Sequence, residues 1–453
     1  MKHVVIVGGG LAGLGTAFFL QQARPELTIT ILEKEPQAGG KVRSSHRAGY
    51  TVDWAANGFL PNVPDTLELA RTLGLELQEA AEVAKNRLLY KNGALRTLPA
   101  SPPAFLTSEL LLLSEKLRAA AEPLLGRAYE GEESVYDFVA RHFGRGVADV
   151  FAGPFVLGIT GGDAKRLSLD ALFPRFRVLE HTHGSLVRAL VKQQRAAKEA
   201  SHQNPDPDRP KRLTSFRGGS GQLVAALAEK FTGKLERGAQ VETLKPVNGG
   251  LEVRWNGRVL RADAVVLATP SFVSAQLVRP FSSAAAEALA DIRYADVQVF
   301  GLGYHRADVP SGLESFGFLV PRGEGVRVLG VLYSSSIFPG QAPDGRALLR
   351  VIAGGTVDPE FAALTPDEAL AAVRRDLRVT MGIVAEPEFA EHIPWPQGIP
   401  QYELGHVLRI ERAETALAEH PLWLTGNAYR GVGVNDTVRD ARRTAGALLK
   451  SLV

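Results

Sequence analysis

The sequence predicts an α/β fold in which a Rossmann-like domain is assembled from separated segments and is joined by an α+β sheet domain and a helical insertion. Three observations support this prediction. The chain opens with a strand, a glycine loop, a helix and a second strand; alternating apolar strands follow residue 280; and a second glycine-rich turn lies near the C-terminus. At 453 residues the chain is long enough for two or three domains with a sizeable core.

Composition narrows the class of protein. The chain is 45% hydrophobic and 22% charged, as in a soluble globular protein, and its formal charge of +3 is too small to indicate nucleic-acid binding. The absence of cysteine excludes disulfides, iron–sulfur clusters and thiol nucleophiles. No apolar run approaches the roughly 20 residues of a membrane-spanning helix, and the first residues lead into a strand rather than a signal peptide. We therefore expect a cytoplasmic protein.

The N-terminal residues have the pattern of a dinucleotide-binding unit. "VVIV" predicts a strand buried on both faces, "LTITIL" predicts a second strand, and the intervening segment predicts a helix that ends at an Arg-Pro pair. Gly8, Gly10 and Gly13 allow a tight turn, a close approach of a pyrophosphate and close packing of helix on strand. Glu33 ends the second strand, where its carboxylate can accept hydrogen bonds from a ribose diol.

A second glycine pair favours FAD over NAD(P). Gly39 and Gly40 are followed by Lys41, Arg43 and Ser44, which resembles the Gly-Gly-basic-x-x-Ser/Thr fingerprint of the FAD-binding amine oxidase superfamily. The sequence has no second GxGxxG motif for NAD(P) and no dithiol. We therefore expect that electrons enter a flavin from the substrate and leave it to oxygen or a diffusible acceptor. The flavin should be held without a covalent bond, since no cysteine can form a thioether.

Further pieces of this domain recur far along the chain. A glycine turn opens a helix in residues 213–227, Val241 lies on a predicted strand, and residues 261–270 indicate a buried strand that ends in a turn. The segment "PLWLTGNAYRGVGVND" predicts a strand, a glycine turn and a helix that begins near Asn435. We expect the N-terminus of this helix to point at the pyrimidine edge of the flavin. The simpler alternative is a turn in which Asn435 or Asp436 caps the helix.

Two insertions separate these pieces. The first is mostly helical and ends in residues 201–212, which predict a flexible loop. The second carries alternating strands and then a helix over 365–377, which suits a sheet floor over the flavin. We assign residues 1–84, 211–279 and 402–453 to an FAD-binding domain, 85–210 to a helical insertion, and 280–401 to a substrate-binding sheet domain.

The helical insertion contains an apolar run that is too short to cross a bilayer. Leu106 and the leucines of residues 110–113 precede Lys116 and Arg118, so the run could lie in a membrane interface with its basic residues near lipid head groups. Alternatively, these leucines pack as core. Residues 165–217 also hold twelve Lys or Arg against five Asp or Glu. We predict a protein that associates reversibly with an anionic membrane surface; a homo-oligomer is also compatible with the sequence.

Six stretches carry a family resemblance over nearly the whole chain: "NRLLYKNGALRTLPASPPAFL", "FVLGITGGDAKRLSLDALFP", "LEHTHGSLVRAL", "FGFLVPRGEGVRVLGVLYSS", "IPQYELGH" and "GNAYRGVGVND". Together they resemble the protoporphyrinogen oxidase family, oxygen-dependent flavoenzymes of haem synthesis. The resemblance implies oxidation of protoporphyrinogen IX to protoporphyrin IX, with three O2 reduced to three H2O2 and hydride transfer to flavin N5. Thr437 stands where many relatives have a cysteine, and Asn57-Gly58 replaces a common Gly-Pro pair.

The resemblance also implies roles for individual residues. Arg87 matches an arginine that pairs with a substrate propionate, although an ordinary surface arginine is the alternative. Leu319, Leu332 and Ile352 match apolar positions around the macrocycle, with core packing as the alternative, and Gly158 matches a glycine that lets the ring approach. The implied FAD contacts are Gly8, Gly10, Leu11, Ala12, Gly13, Glu33, Lys34, Gly40, Lys41, Val42, Asn57, Gly58, Val241, Gly426, Val432, Gly433 and Val434.

Several alternatives stay open. A coproporphyrinogen III oxidase of the same fold would make coproporphyrin III, and an amine oxidase or carotenoid desaturase would share the flavin motifs. A non-catalytic FAD-binding scaffold is the alternative from a different class. His181 and His183 suggest a metal site only weakly, because no third ligand motif accompanies them. No residue is identified as a general base, so we expect the protein mainly to supply positioning and apolar shielding.

Overall fold

The nucleotide domain is built on a five-stranded parallel sheet. The computed structural model describes residues 2–61, 63–203, 209–310 and 312–452, with side chains described except over 197–203. The first strand lies at the centre of this sheet with Val4, Val5 and Ile6 fully buried, as predicted for a strand covered on both faces. In spatial order the strands are Leu422–Leu424, Ala264–Leu267, His3–Val7, Thr28–Glu33 and Lys234–Arg237.

Helices and smaller sheets cover both faces of this sheet. One face carries the helices Leu11–Ala23, Pro64–Thr72, Gly221–Lys230 and Val434–Ser451. The other face carries the antiparallel strands Val241–Val247, Gly250–Trp255 and Arg258–Ala262 and the helices Ser271–Val278, Ser283–Ala290 and His406–Leu417. Two short pairs complete the domain, Ser44–Arg47 with Tyr50–Asp53 and Leu77–Glu79 with Thr214–Phe216.

A seven-stranded sheet forms the second layer of the molecule. One of its faces packs on the helix Pro366–Met381, and the other is turned toward the nucleotide domain, where the strand Tyr50–Asp53 crosses it. Its strands are, in spatial order, Phe389–Pro400, Tyr294–His305, Arg346–Gly354, Val328–Tyr333, Gly317–Leu319, Leu88–Lys91 and Ala94–Thr97. Short helical turns at Glu82–Lys85, Arg306–Asp308, Ser334–Ile337 and Pro359–Ala363 flank it.

The helical insertion is a set of short helices with its own core. The longest is Leu186–Gln203, and the 3-residue turn Arg145–Val147 leads into a π-helix at Ala148–Ala152. The remaining helices are Pro102–Thr107, Leu113–Ala120, Glu122–Leu125, Val135–Phe143, Gly153–Thr160, Leu169–Leu172 and Pro174–His183. Among the described residues, no helix is both long and apolar enough to cross a membrane.

The structure adds detail to the sequence expectations at three places. The helix predicted through the leucine run is interrupted: the helix Pro102–Thr107 ends at Ser108, the next helix begins at Leu113, and both Ser108 and Leu112 have an extended backbone. The C-terminal helix begins at Val434 with Gly433 as its N-cap; of the two residues named in the capping alternative, Asp436 accepts from the Gly433 amide and Asn435 instead donates to the Leu60 carbonyl at 2.8 Å. Within the predicted loop over 201–212, residues 201–203 belong to the helix Leu186–Gln203, and residues 204–208 lie outside the described part.

Two segments pack across the predicted domain boundaries. The strands Leu88–Lys91 and Ala94–Thr97 belong to the seven-stranded sheet, although residue 85 was expected to open the helical insertion. The helix Ser283–Ala290 packs in the nucleotide-domain core, although residue 280 was expected to open the sheet domain. The three-domain division therefore stays a prediction, and we propose moving these two segments to the domains they contact.

Candidate active site

Two glycine loops meet at the carboxyl end of the central strands. Gly8 has φ +104°, and a methyl group there would lie 2.7 Å from the Ala268 carbonyl oxygen. A methyl group at Gly13 would lie 1.9 Å from the Gly8 carbonyl oxygen, so the helix can pack this closely against the loop because residue 13 is glycine. In the second loop, the Gly39 amide donates to the Gly9 carbonyl at 2.8 Å. The two predicted loops therefore form one continuous surface.

Glu33 lies at the edge of this surface. Its buried carboxylate accepts from the Gly9 amide at 2.7 Å and from the Glu35 amide at 2.8 Å. The Ala239 amide donates to the Glu33 carbonyl at 2.7 Å, which places Val241 at the same end of the sheet. The Lys34 side chain, by contrast, is 66% exposed and pairs with Glu35 at 3.4 Å, so only its backbone faces the loops.

The C-terminal glycine turn reaches the same place. Gly426 has φ +119°, and a methyl group there would lie 3.5 Å from the Ala12 Cβ atom, at the start of the first helix. The Gly426 amide donates to Asp440 at 3.0 Å, which fixes the turn on its own helix. The Gly433 amide donates to the Asp436 carboxylate, whereas Gly433 itself has no side chain to cap the amides that follow, so these remain for a ligand. Val432 and Val434 are partly buried beside them.

The remaining predicted cofactor residues fit a dinucleotide. A methyl group at Gly58 would lie 2.6 Å from the Thr214 carbonyl oxygen, and the adjacent Asn57 has a buried side-chain amide nitrogen without a partner. An unpaired buried donor of this kind requires an acceptor. Val42 lines a cavity of about 430 Å³ beside the second loop. The site thus combines glycines at which any side chain would collide with its surroundings, the unpaired Asn57 donor and a helix N-terminus. This combination suits an elongated, anionic cofactor.

Lys41 links this surface to the seven-stranded sheet. Its ammonium group donates to the Gly398 carbonyl and lies 5.8 Å from the centre of the Tyr294 ring. Burial lowers the pKa of Lys41 to about 8. No ion pair of Lys41 is found among the described residues, so a partly buried cation without a carboxylate partner lies between the second loop and the seven-stranded sheet. That arrangement favours an anionic ligand.

The predicted substrate residues lie on one face of the seven-stranded sheet. Leu319 is paired with Gly330 and Gly330 with Ile352, so these three positions form a row across neighbouring strands. Leu332 lies two residues from Gly330 on the same face. Leu319, Leu332 and Ile352 are only partly buried, whereas the alternating residues of these strands are buried in the opposite core. Leu332 and Ile352 thus keep an exposed part that an apolar ligand can contact, while Leu319 also packs against Leu89 and Leu111.

Gly158 and Arg87 border this face. A methyl group at Gly158 would lie 2.4 Å from a Leu319 methyl carbon, so the helix Gly153–Thr160 packs directly over the row. The Arg87 guanidinium lies 5.0 Å from the centre of the Phe316 ring and has no ion pair among the described residues. Its side chain stays solvent-accessible, while partial burial of the guanidinium lowers the pKa of Arg87. The structure therefore brings all five predicted substrate residues to one face.

Sequence reasoning missed Arg350, which lies on this face. It is directly paired with Leu332, is 5% exposed and donates to the Ala55 carbonyl. Burial lowers the pKa of Arg350 to about 10, against the opposing influence of Asp53. The sequence did contain an indication of this role: Arg350 is two residues from Ile352, and so on the same face of the strand, and it is a charged residue between apolar ones. Among the described residues, no cluster of His, Cys, Asp and Glu is suited to a metal ion.

Comparison with known proteins identifies the family. A family described as "Flavin containing amine oxidoreductase" matches residues 11–449. A crystal structure from Exiguobacterium sp. 255-15, of a protein provisionally named protoporphyrinogen oxidase, superposes with a TM-score of 0.85 over 99% of both chains at 23% identity. The chain therefore belongs to the flavin-containing amine oxidoreductases, which confirms the predicted fold class, FAD as the cofactor and the class of oxidoreductase.

Curated relatives place the chain more narrowly within that family. Chloroplastic protoporphyrinogen oxidase of Oryza sativa subsp. japonica is 33% identical, over 97% of this chain and 87% of the relative. Coproporphyrinogen III oxidase of Propionibacterium freudenreichii subsp. freudenreichii is 32% identical, over 98% of this chain and 90% of the relative. The resemblance to the protoporphyrinogen oxidase family is confirmed.

Proposed function

We propose that this protein oxidises a porphyrinogen to the corresponding porphyrin in haem synthesis, with protoporphyrinogen IX as the first candidate substrate. The observation that carries the proposal is the convergence of Arg87, Gly158, Leu319, Leu332 and Ile352 on one sheet face beside the glycine loops. A flat tetrapyrrole with propionates needs an apolar surface and a cation at its edge. The balanced reaction consumes three O2 and releases three H2O2 for each porphyrinogen.

The cofactor site is proposed from the same geometry. Gly8, Gly10 and Gly13 with Leu11 and Ala12 would hold the pyrophosphate, while Glu33 would accept from the ribose and Val241 would border the adenine. The rest of FAD would be enclosed by the second loop, the segment at residues 57–58 and the C-terminal turn. The residues concerned are Gly40, Lys41, Val42, Asn57, Gly58, Gly426, Val432, Gly433 and Val434. Lys34 would contribute only its backbone. When bound, FAD supplies a two-electron acceptor that oxygen regenerates.

The residues of the substrate face would act by positioning. Leu319, Leu332 and Ile352 would hold the macrocycle and exclude water from the reacting carbon, and Gly158 would let the helix Gly153–Thr160 pack against Leu319 at the edge of this surface. The Arg87 guanidinium, which has no carboxylate partner, would bind a propionate in a charge-assisted pair. None of these residues is a general base, so the pyrrole N–H protons would pass to solvent or to reduced oxygen species.

Coproporphyrinogen III is a second candidate substrate, and Arg350 favours it. Coproporphyrinogen III carries four propionates, whereas protoporphyrinogen IX carries two together with two vinyl groups. Arg350 is a second cation on the substrate face; it is buried and lies opposite Leu332 on the neighbouring strand. A second cation suits the substrate that has more carboxylates.

Turnover of both porphyrinogens by the purified FAD-loaded protein tests the proposal. Porphyrin fluorescence measures product, and oxygen uptake measures the acceptor. We expect porphyrin formation that depends on enzyme and oxygen and exceeds the autoxidation of each porphyrinogen alone. If neither porphyrinogen is oxidised above that background, while added FAD is bound, the proposed function is wrong.

A membrane-facing surface is also proposed for the helical insertion. Leu112 and Leu113 are each 70% exposed, Leu117 is 60% exposed and Leu124 is 89% exposed. Leu113 and Leu117 are one helical turn apart, so they share a face. A group of exposed leucines of this kind is unusual for a surface that contacts only water. We propose that this surface contacts a lipid interface.

A further inference from the structure

We propose that Arg350 binds a second carboxylate of the substrate, at the edge of the macrocycle opposite Arg87, and thereby selects tetracarboxylate porphyrinogens. This inference rests on the proposed function, since it assumes that a porphyrinogen occupies the sheet face. It assigns a specificity role to a residue that neither the sequence motifs nor the glycine loops involve.

The surroundings of Arg350 leave its charge largely uncompensated. The side chain is 5% exposed, its Nε atom is buried without a partner, and its one hydrogen bond goes to the neutral Ala55 carbonyl. Asp53 is the nearby acid and partly opposes the effect of burial on Arg350, but no ion pair between the two is found among the described residues, and the Asp53 Oδ1 atom accepts from the Ser220 amide at 2.8 Å and the Ser44 hydroxyl at 2.6 Å. A desolvated guanidinium with spare donors is costly unless a ligand supplies acceptors.

Arg350 lies on the same face as the other proposed substrate residues. It is paired with Leu332 on the neighbouring strand and is two residues from Ile352 on its own strand. Its neighbours Leu349 and Val351 point into the opposite core. On the other side, Arg350 lies opposite Gly301, and the space above Gly301 is filled by the Val52 side chain, so a ligand can approach Arg350 only from the side of Leu332 and Ile352. The guanidinium therefore borders the surface proposed for the macrocycle.

The two cations are separated by about the width of a tetrapyrrole. Leu88 is paired with Phe318, which places Arg87 beside Gly317, and Gly317 is paired with Leu332. From Arg87 to Arg350 the row therefore crosses three strand spacings, roughly 14 Å between main chains. Phe316, on which Arg87 lies, packs in the same cluster as Leu332. An apolar surface with one cation at each end suits a ring with carboxylates on both edges.

This arrangement predicts selectivity between substrates. Protoporphyrinogen IX carries both propionates on one edge, so it can engage Arg87 but presents a vinyl group toward Arg350. Coproporphyrinogen III carries a propionate on every pyrrole and can engage both cations. We therefore expect Arg350 to favour coproporphyrinogen III, because a carboxylate pairs bidentately with a guanidinium and a vinyl group does not.

Equilibrium binding of the porphyrin products to the FAD-loaded protein tests this inference without relying on turnover. The probes are coproporphyrin III, protoporphyrin IX and coproporphyrin III tetramethyl ester, followed by quenching of protein fluorescence. For Arg350→Met we expect a loss of affinity for coproporphyrin III of roughly tenfold to hundredfold, with little change for protoporphyrin IX. Arg346→Met is the matched control, since Arg346 lies on the same strand and pairs with Glu388.

Each outcome decides whether Arg350 binds the ligand or only holds the Ala55 segment in place through its hydrogen bond. Equal losses for both porphyrins, or no loss, would mean that Arg350 only fixes the Ala55 segment, and the inference would fall. If Arg350→Met does not fold, Arg350→Lys and the wild-type comparison of coproporphyrin III with its ester decide instead: equal affinity for acid and ester overturns the inference. Absence of porphyrinogen oxidation by the wild-type protein would instead overturn the proposed function.

Discussion

At the scale of single residues, Arg87 offers the most direct test of substrate binding. Arg87→Ala should raise KM for the porphyrinogen by roughly tenfold to hundredfold, since a charge-assisted hydrogen bond contributes about 1.5–3 kcal/mol. FAD content and Tm should stay close to those of the wild type, because the guanidinium packs only on Phe316 and has no ion pair among the described residues. Steady-state kinetics measures KM, flavin absorbance measures the FAD content, and thermal unfolding measures Tm.

Arg217→Ala is the control for this variant. Arg217 is 76% exposed and pairs with Glu76 on the surface, so its removal should leave KM unchanged. Wild-type KM in Arg87→Ala would make Arg87 an ordinary surface residue, and a large loss of Tm would make it a structural one.

Local patterns were predictable at this scale, and long-range contacts were not. The conformations at Gly8 and Gly13 follow from spacing alone, since a side chain at either position would collide with backbone a few residues away or on the adjacent strand. Arg350 could be noticed as a charge in an apolar strand, but its partner Ala55 lies 295 residues away. Sequence spacing carries no information on that contact.

At the scale of elements, the helical insertion depends on a buried charge network. Glu122 accepts from His142 at 2.8 Å, from the Ser185 hydroxyl at 2.6 Å and from the amide of Leu186, which begins the longest helix of the insertion. Desolvation acts to raise the pKa of Glu122, but these hydrogen bonds outweigh it, so the pKa lies below the ordinary value. Stability from this carboxylate is therefore complete above its unfolded pKa and is lost as pH falls through the lowered pKa.

Glu122→Gln should therefore destabilise the protein. A hydrogen bond to a charged group contributes about 1.5–3 kcal/mol, so loss of the carboxylate charge should lower the free energy of unfolding by about that amount, and the acid-dependent part of the stability should shrink in the variant. Urea unfolding at neutral and acidic pH measures both effects. Glu130→Gln is the matched control, because Glu130 is 88% exposed and should change little. Equal stability of Glu122→Gln and wild type at neutral pH would contradict this account.

The leucine run shows why the boundaries of this element could not be read from sequence. Leu110 and Leu111 are buried against Leu89, which a distant strand of the seven-stranded sheet contributes. Leu112 and Leu113 are left exposed by the same break in the helix. Four consecutive leucines look alike in a sequence, and only the tertiary contact with Leu89 separates the buried pair from the exposed pair.

This division sharpens the prediction of membrane association. Leu112→Glu with Leu113→Glu should weaken co-sedimentation with anionic liposomes, because it places charge on the exposed leucine surface. Leu110→Glu is unsuitable, since it would disrupt the core. The outward-facing Val379→Glu serves as the control, because Val379 is 56% exposed on a helix of the sheet domain. Wild-type protein that does not pellet at low or high salt would exclude the proposed lipid contact.

At the scale of the whole molecule, the cofactor should bind the separated parts of the chain together. The first loop, the second loop and the C-terminal turn come from distant segments and meet only in the folded state. Lys41 and Arg350 then connect the nucleotide domain to the seven-stranded sheet through Gly398 and Ala55. A ligand that contacts all three glycine segments therefore stabilises the folded chain and has no corresponding site in the unfolded one.

FAD should accordingly raise Tm in a concentration-dependent manner, by the equivalent of about 2.7 kcal/mol at a hundredfold excess over Kd. Thermal unfolding of protein stripped of flavin, with and without FAD, measures this stabilisation. Riboflavin is the control, because it lacks the ADP part that Gly8 and Glu33 are proposed to hold, and it should stabilise far less. Since the chain has no cysteine to form a thioether, acid denaturation should release all of the yellow colour to the supernatant. Colour retained in the pellet would disprove non-covalent binding, and a Tm independent of FAD would disprove the proposed convergence of the three glycine segments on the cofactor.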